Sequence, residues 1–141
     1  MKQMSEAEAY AFLSQGQRTG KVATVRADGR PHVVPIWFVV DGTDLLFMTG
    51  ADTVKGKSLA RDPRVALTVD LEQPPYAFVT VEGTVTLSDD TAAMLPHSID
   101  IGVRYMGEER GEEFGRRNAA PGELLVRLTP NKIIGVDDLA G

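Results

Sequence analysis

Two Asp-Gly dipeptides, Asp28-Gly29 and Asp41-Gly42, are each bracketed by runs of β-branched and aromatic residues. Asp-Gly readily takes the positive φ angles of a two-residue hairpin turn. The runs Lys21–Ala27, Arg30–Val40 and Leu45–Thr49 are therefore predicted to form a three-stranded antiparallel meander. Pro31 and Pro35 remove ladder donors from the middle run, which places part of it at a sheet edge or at a bulge.

The rest of the chain alternates strand signals with short helical ones. Ser5 and Glu8 have capping-box spacing, Ala9, Phe12 and Leu13 share one face, and Gly16 is a stop. Thr53–Asp62 reads as a short helix with Asp52 or Thr53 as N-cap, ended by Pro63. Arg64–Leu71 alternates as a strand. Tyr76–Leu87 is a longer strand with Glu82-Gly83 as a bulge or bend. In it Ala77, Val79 and Val81 share one face, and Tyr76, Phe78 and Thr80 the other. Ser88-Asp89-Asp90 offers an N-cap for a helical region reaching Asn118, with Leu95, Ile99, Val103 and Met106 spaced for one face. Pro96 and the glycines of this region predict two short helices in place of one. Glu123–Thr129 and Lys132–Val136 close the chain as two strands. The count is six or seven strands joined mainly by hairpins. The expected fold is mostly β with short helices, an antiparallel six- to seven-stranded barrel in one domain spanning residues 1–141.

Composition excludes several functions. With 15 Lys and Arg against 20 Asp and Glu, the chain has no basic surplus for neutralising nucleic-acid phosphates. There is no Cys, which removes disulfides, thiolate nucleophiles and Cys-based metal sites. Only His32 and His97 are present, no HExxH pair occurs, and no metal site is expected. Neither a G-x-S-x-G elbow, a G-x-G-x-x-G run nor a Walker loop is found. No apolar segment approaches the ~18 residues of a membrane span, and the first residues lack a signal-peptide core. The expectation is a cytoplasmic protein with a small-molecule substrate, binding neither nucleic acid nor membrane.

The chemically informative segment is Thr49–Arg64, TGADTVKGKSLARDPR. Lys55 and Lys57 fall in the first turn of the predicted helix, where free N–H groups and the positive dipole end already favour an anion. Cations are unfavourable there unless an anion offsets them, so a phosphate cradle is one reading and a solvated basic face the other. Trp37, the only tryptophan, either fills the core or flanks an aromatic ligand. His32 is more simply a strand histidine than a catalytic one.

The run GKVATVRADGRPHVVPIWFVVDGTDLLFMTGADTVKGKSLARDPRVALTVD, continued by PPYAFVTVEGTV, resembles the split β-barrel flavin and deazaflavin oxidoreductases, the superfamily of the pyridoxamine 5′-phosphate oxidases. The likeness covers residues 18–90 and, more loosely, LLVRLTPNKIIGV near the C-terminus. It is closest to the actinobacterial deazaflavin-dependent group, whose cofactor is coenzyme F420. The resemblance implies an FMN-binding split barrel and a homodimer with two cofactor sites at its interface. It implies that Val33, Val34, Pro35, Ile36 and Trp37 run along the ring system. Met48 and Thr49 would reach the ribityl chain. Val54, Lys55, Gly56 and Lys57 would surround the phosphate, and Ala77, Phe78 and Val79 would approach from the central strand of either subunit. FMN-binding oxidases of this type carry basic residues on the second strand and a Gln where Phe78 falls. Their absence here argues against FMN and is compatible with F420, whose phosphodiester and polyglutamate tail Arg61 or Arg64 would follow outward, with FMN as the alternative cofactor. The implied reaction is hydride transfer to an unsaturated acceptor, biliverdin-like or a conjugated carbonyl; a non-catalytic deazaflavin carrier is the other possibility. No catalytic residue is assigned; a bound water, His32, Arg104 and Arg116 are the candidates.

Overall fold

The computed structural model describes residues 1–141 and divides the Arg30–Val40 run into two strands separated by Trp37. The elements are β1 (Lys2–Gln3), α1 (Glu6–Ser14), β2 (Gly20–Val25), β3 (Pro31–Ile36), β4 (Phe38–Asp41), β5 (Asp44–Gly50), α2 (Val54–Arg61), β6 (Arg64–Leu71), β7 (Ala77–Ser88), α3 (Thr91–Met106), α4 (Glu108–Asn118) and β8 (Glu123–Asp137). All ladders are antiparallel, and the strands follow the path β3-β2-β6-β7-β8-β5-β4, with β1 pairing β8 off this path. No helix is long and apolar enough to cross a membrane.

This path corrects the expected meander. Both Asp-Gly turns form hairpins, β2–β3 and β4–β5, but β3 and β4 stand at opposite ends of the path. Consecutive strands at the two ends of one sheet require it to curl, and the result is a split antiparallel half-barrel. The edge position of β3 accommodates Pro31 and Pro35, as their missing donors require.

Inward-facing residues fill the curl. Val22, Leu67, Val79, Val81, Val126, Leu128, Leu45, Phe47 and Phe38 join Ala9, Phe12 and Leu13 of α1 in the main core. Each large side chain buried this way contributes about 1.5–3 kcal/mol. The capping box expected at Ser5 and Glu8 is present in full. In β5 the consecutive residues Leu45, Leu46 and Phe47 are all buried, because both faces of the strand are covered. Leu45 and Phe47 face the barrel core, whereas Leu46 joins Leu125, Ala119 and Met94 of α3 in a second cluster.

Two further expectations change. The C-terminal segment is one 15-residue strand, β8, not two. Pro130 is tolerated within it because it lies opposite Gly83, where the β7–β8 register shifts at the expected Glu82/Gly83 irregularity and the ladder is already interrupted. In the helical region the buried residues of α3 are Met94, Ser98, Ile101 and Gly102, not the predicted Leu95, Ile99, Val103 and Met106. The break falls at Gly107, at φ +86°, and α3 runs 16 residues straight through Pro96. The other glycines are packing residues. A Cβ on Gly111 would sit 2.6 Å from the Val103 backbone and one on Gly115 2.5 Å from Ile99 Cα, so α3 and α4 touch backbone to backbone. Ile99 and Val103 serve that seam.

A Cβ added at Gly83 would fall 2.2 Å from the Thr129 carbonyl oxygen and 3.0 Å from Pro130 Cα, both backbone atoms. Gly83→Ala is therefore expected to lower the unfolding free energy by about 1–3 kcal/mol, read as a reduced denaturant midpoint at unchanged slope.

Candidate cofactor site

The break at Trp37 brings the edge strand β3, the end of β5, the start of α2 and the α3–α4 hairpin around one cavity of about 250 Å³. Pro35, Ile36 and Trp37 form one wall and Met48 another, and Lys55 enters from α2. Ser98, Ile101, Asn118 and Glu123 close the far side. Five of the expected residues thus converge. The other four come from segments distant in sequence and carried no local signal.

Trp37 is held rigidly. Its ring stacks on Tyr105 with centroids 5.1 Å apart and planes 4° from parallel, and Phe114 tilts against it at 6.2 Å. Tyr105 is fixed in turn, since its hydroxyl donates to the Arg18 carbonyl at 3.0 Å and accepts from the Phe38 amide at 3.3 Å. Burial raises its pKa, partly offset by the Phe38 bond and Arg104. One face of the indole is therefore occupied by the protein itself.

The start of α2 is built from three threonine- and glycine-based contacts. Thr53 caps the helix, accepting from the Gly56 amide at 3.0 Å and donating to the Gly50 carbonyl at 2.8 Å. That uses its single hydroxyl proton, so in the 3.0 Å contact between the two hydroxyls Thr49 is the donor. The buried Thr49 hydroxyl thus serves the cap. Gly56 is required by packing, because a Cβ there would lie 2.2 Å from the Gly50 oxygen. The amides of Val54 and Lys55 are left without an intrahelical acceptor.

The basic residues of α2 divide between two sides. Lys55 is half-buried and faces the cavity; burial pushes its pKa down, with the Glu123 charge opposing that shift. Lys57 is exposed on the other side, where helical spacing groups it with Val54 and Arg61. The Arg61 guanidinium donates to the Val25 carbonyl, and Arg64 forms a bidentate pair with Asp62. Along β3 the alternation turns Val34 into the core, with Val33 and Pro35 outside. On β7 the Ala77 and Val79 side chains lie in the barrel core. Phe78 faces outward and, with Ala77, Lys21, Asp70 and Tyr76, lines a separate cleft of about 620 Å³. Within one protomer, residues 77–79 do not reach the Lys55 cavity.

The catalytic candidates are placed as follows. Arg104 is a structural clamp: its guanidinium donates to the carbonyls of Leu13, Gly16 and Phe38 at 2.7–2.9 Å and packs over Phe38 and Tyr105. Three of its five N–H donors are committed to the protein's own backbone. Arg116 pairs with Glu112 on the exposed side of α4. His32 lies opposite Thr24, and its Nδ1 and the Thr24 hydroxyl are buried without partners.

The pyridoxamine 5′-phosphate oxidase family matches residues 6–137. The chain belongs to this family. Among solved structures it resembles a conserved hypothetical protein of Mycobacterium tuberculosis, at 27% identity and TM-score 0.79, covering 92% of this chain and 82% of that one. It also resembles an F420 reductase, at 26% identity and TM-score 0.68, covering 88% and 94%. A FAD-binding protein of Mesorhizobium loti, 20% identical with TM-score 0.69, shares the fold over 95% and 93% of the two chains. The curled seven-strand antiparallel path is consistent with the split barrel of this family.

Removing the Arg104 clamp separates structure from chemistry. Arg104→Ala leaves three backbone carbonyls without their charged donor and is expected to cost about 2–4 kcal/mol of stability. The fraction that remains folded keeps Lys55 in place, so any weakening of cofactor binding, measured by titration below the variant's melting temperature, should be smaller than that of Lys55→Ala.

Proposed function

We propose that this chain is a deazaflavin-dependent oxidoreductase that uses coenzyme F420 to reduce an unsaturated small molecule, biliverdin-like or a conjugated carbonyl, and acts as a homodimer. The observation that carries the reading is Lys55, a half-buried ammonium outside all eight ion pairs of the chain, beside the two free amides of α2. A cation desolvated in this way is favoured by an anion, and helix-start amides with a lysine are a donor set suited to phosphate. The 26% identity to an F420 reductase over 88% of the chain supports a deazaflavin over a flavin, as does the apolar character of β3.

When bound, the deazaflavin supplies the hydride chemistry. The protein's own residues bind, orient and exclude water. Lys55 and the Val54 and Lys55 amides hold the phosphate. Trp37, pinned from behind by Tyr105, gives a fixed wall with Pro35, and Met48 supplies an adaptable apolar surface beside the chain. Gly56 and Thr49 act by keeping α2 close to β5. Lys57 and Arg61, on the outer side of α2, are the cations available to a charged tail that leaves the cavity around that helix.

The cavity lies just below the range of about 300–1,000 Å³ typical of small-molecule sites. A second copy would complete it. The outer face of β3-β2-β6-β7-β8 is suited to such a partner: Val33, Ala23 and Ala66 form one cross-strand row and Thr68, Thr80 and Ile134 another, flanked by the ion pairs Lys21–Asp70 and Lys132–Glu82, and Val33 is 66% exposed. Docking on this face would carry Phe78 of one chain toward the cavity of the other.

Two measurements test the reading. In a fluorescence titration with F420, Lys55→Ala should weaken binding roughly ten- to hundredfold, the worth of a hydrogen bond to a charged group. Lys57→Ala should weaken it less, and equal losses would refute the assignment of Lys55 as the cavity donor. In sedimentation equilibrium the protein should have twice the chain mass. Thr80→Arg, which places a charge at the centre of the outer face, should give the single-chain mass and weaken F420 binding together.

A further inference from the structure

We infer that Glu123 decides which phosphate the cavity accepts: its carboxylate shares the cavity with Lys55, so a singly charged phosphodiester is accepted and a doubly charged phosphomonoester is disfavoured. The inference rests on the proposed role of Lys55 as the phosphate donor.

The carboxylate is held in place by its backbone. Glu123 opens β8, pairs with Gly50 at the end of β5, and donates its amide to the Ala120 carbonyl at 3.1 Å. Its side chain lies over the junction of β5 and α2, with Oε1 3.8 Å from the position a Cβ would take on Gly50. Gly50 is also the residue whose carbonyl anchors the Thr53 cap. The same junction therefore presents the ammonium, the free α2 amides and a carboxylate. Glu123 acts on Lys55 by charge, yet the two form no ion pair within 4.0 Å. Both face the cavity with space between them.

The consequence is electrostatic. Lys55 and Glu123 together give the cavity a local charge near zero. Each negative charge on an entering group is then attracted by one and repelled by the other, while the cost of taking that group out of water rises with the square of its charge. A phosphomonoester carries about −1.5 to −2 charges at neutral pH, and a diester carries one. The second charge gains little from the site and adds most of the desolvation cost. FMN ends in a monoester and F420 has a diester at the corresponding place, so Glu123 tilts a common cradle toward F420.

The test is a fluorescence titration of the wild-type protein and Glu123→Gln at neutral pH with three probes: F420, FMN and riboflavin, which has no phosphate. Glutamine keeps the size and the strand pairing, and matching thermal unfolding of the two proteins checks the fold. The variant should bind FMN about tenfold more tightly, a change of ~1.4 kcal/mol, with riboflavin unchanged and a smaller gain for F420. An equal gain for all three probes, no gain for FMN, or a wild-type protein that already prefers FMN would each overturn the inference and leave Lys55 as the phosphate donor untouched. If the wild-type protein binds neither F420 nor FMN, the cofactor reading itself fails, and this inference with it.

Discussion

Between Ile36 and Phe38 the chain passes from one end of the seven-strand path to the other with a single residue, Trp37, as the connection. The sheet must curl far enough for that residue to span its two ends, and the inward-facing side chains fill the space so created. The turn would be a weak point, because a strand end exposes unpaired backbone groups. The structure secures it from α3, where Tyr105 accepts from the Phe38 amide and Arg104 donates to the Phe38 carbonyl. Arg104 also holds the carbonyls of Leu13 and Gly16, tying the end of α1 to the same place. Hydrogen bonds from a charged donor are stronger than neutral ones, and one guanidinium uses one of them at this crossing and two at the end of α1. The Trp37 wall of the cavity is rigid as a by-product of closing the sheet.

Local signals in the sequence located most elements. The Ser5–Glu8 box, both Asp-Gly hairpins, the Thr53 cap, the Arg64–Leu71 strand and the Glu82-Gly83 irregularity stand where their residue chemistry placed them. What local chemistry could not reveal was pairing across distance. Two hairpins that share a run read as a meander, because nothing in VVPIWFVV marks residue 37 as the point where β3 leaves β2 and β4 joins β5. The C-terminal segment read as two strands, Glu123–Thr129 and Lys132–Val136, for a related reason: what carries one strand through Pro130 is its distant partner, the irregularity at Gly83. The glycines of α4 read as breakers because composition alone does not distinguish a glycine that ends a helix, Gly107, from ones that admit a neighbouring backbone, Gly111 and Gly115.

The site was legible in the same uneven way. Lys55 stood out because a cation in the first turn of a helix is locally unfavourable and calls for a compensating anion. Pro35, Ile36, Trp37 and Met48 were singled out by the family resemblance, and the fold places them on the same cavity. Lys57 follows Lys55 by two residues, which on a helix turns it to the opposite side, so a motif written as a string merges two residues with different surroundings. Glu123, Asn118, Ser98 and Ile101 belong to the cavity only because the α3–α4 hairpin and the start of β8 fold back over it. No periodicity or spacing in those segments points to a ligand.

That fold-back also bears on how selectivity can arise in this family. The β3 edge, the β5 end and the α2 start are held together by hydrogen bonds and close backbone approaches, at Thr53 and Gly56 above all, that leave little freedom for change. A Cβ at Gly56 alone would displace the helix that carries Lys55. On the opposite wall Ser98 is buried and bonded to the Gly115 carbonyl, but Glu123 is less constrained. Glu123 is fixed through its backbone while its side chain makes no hydrogen bond that a substitution would break, so its charge can vary without disturbing the cradle. A phosphate site whose donors are locked by the fold, and whose opposing wall is free to carry either charge or none, changes its preferred ligand most readily through that wall.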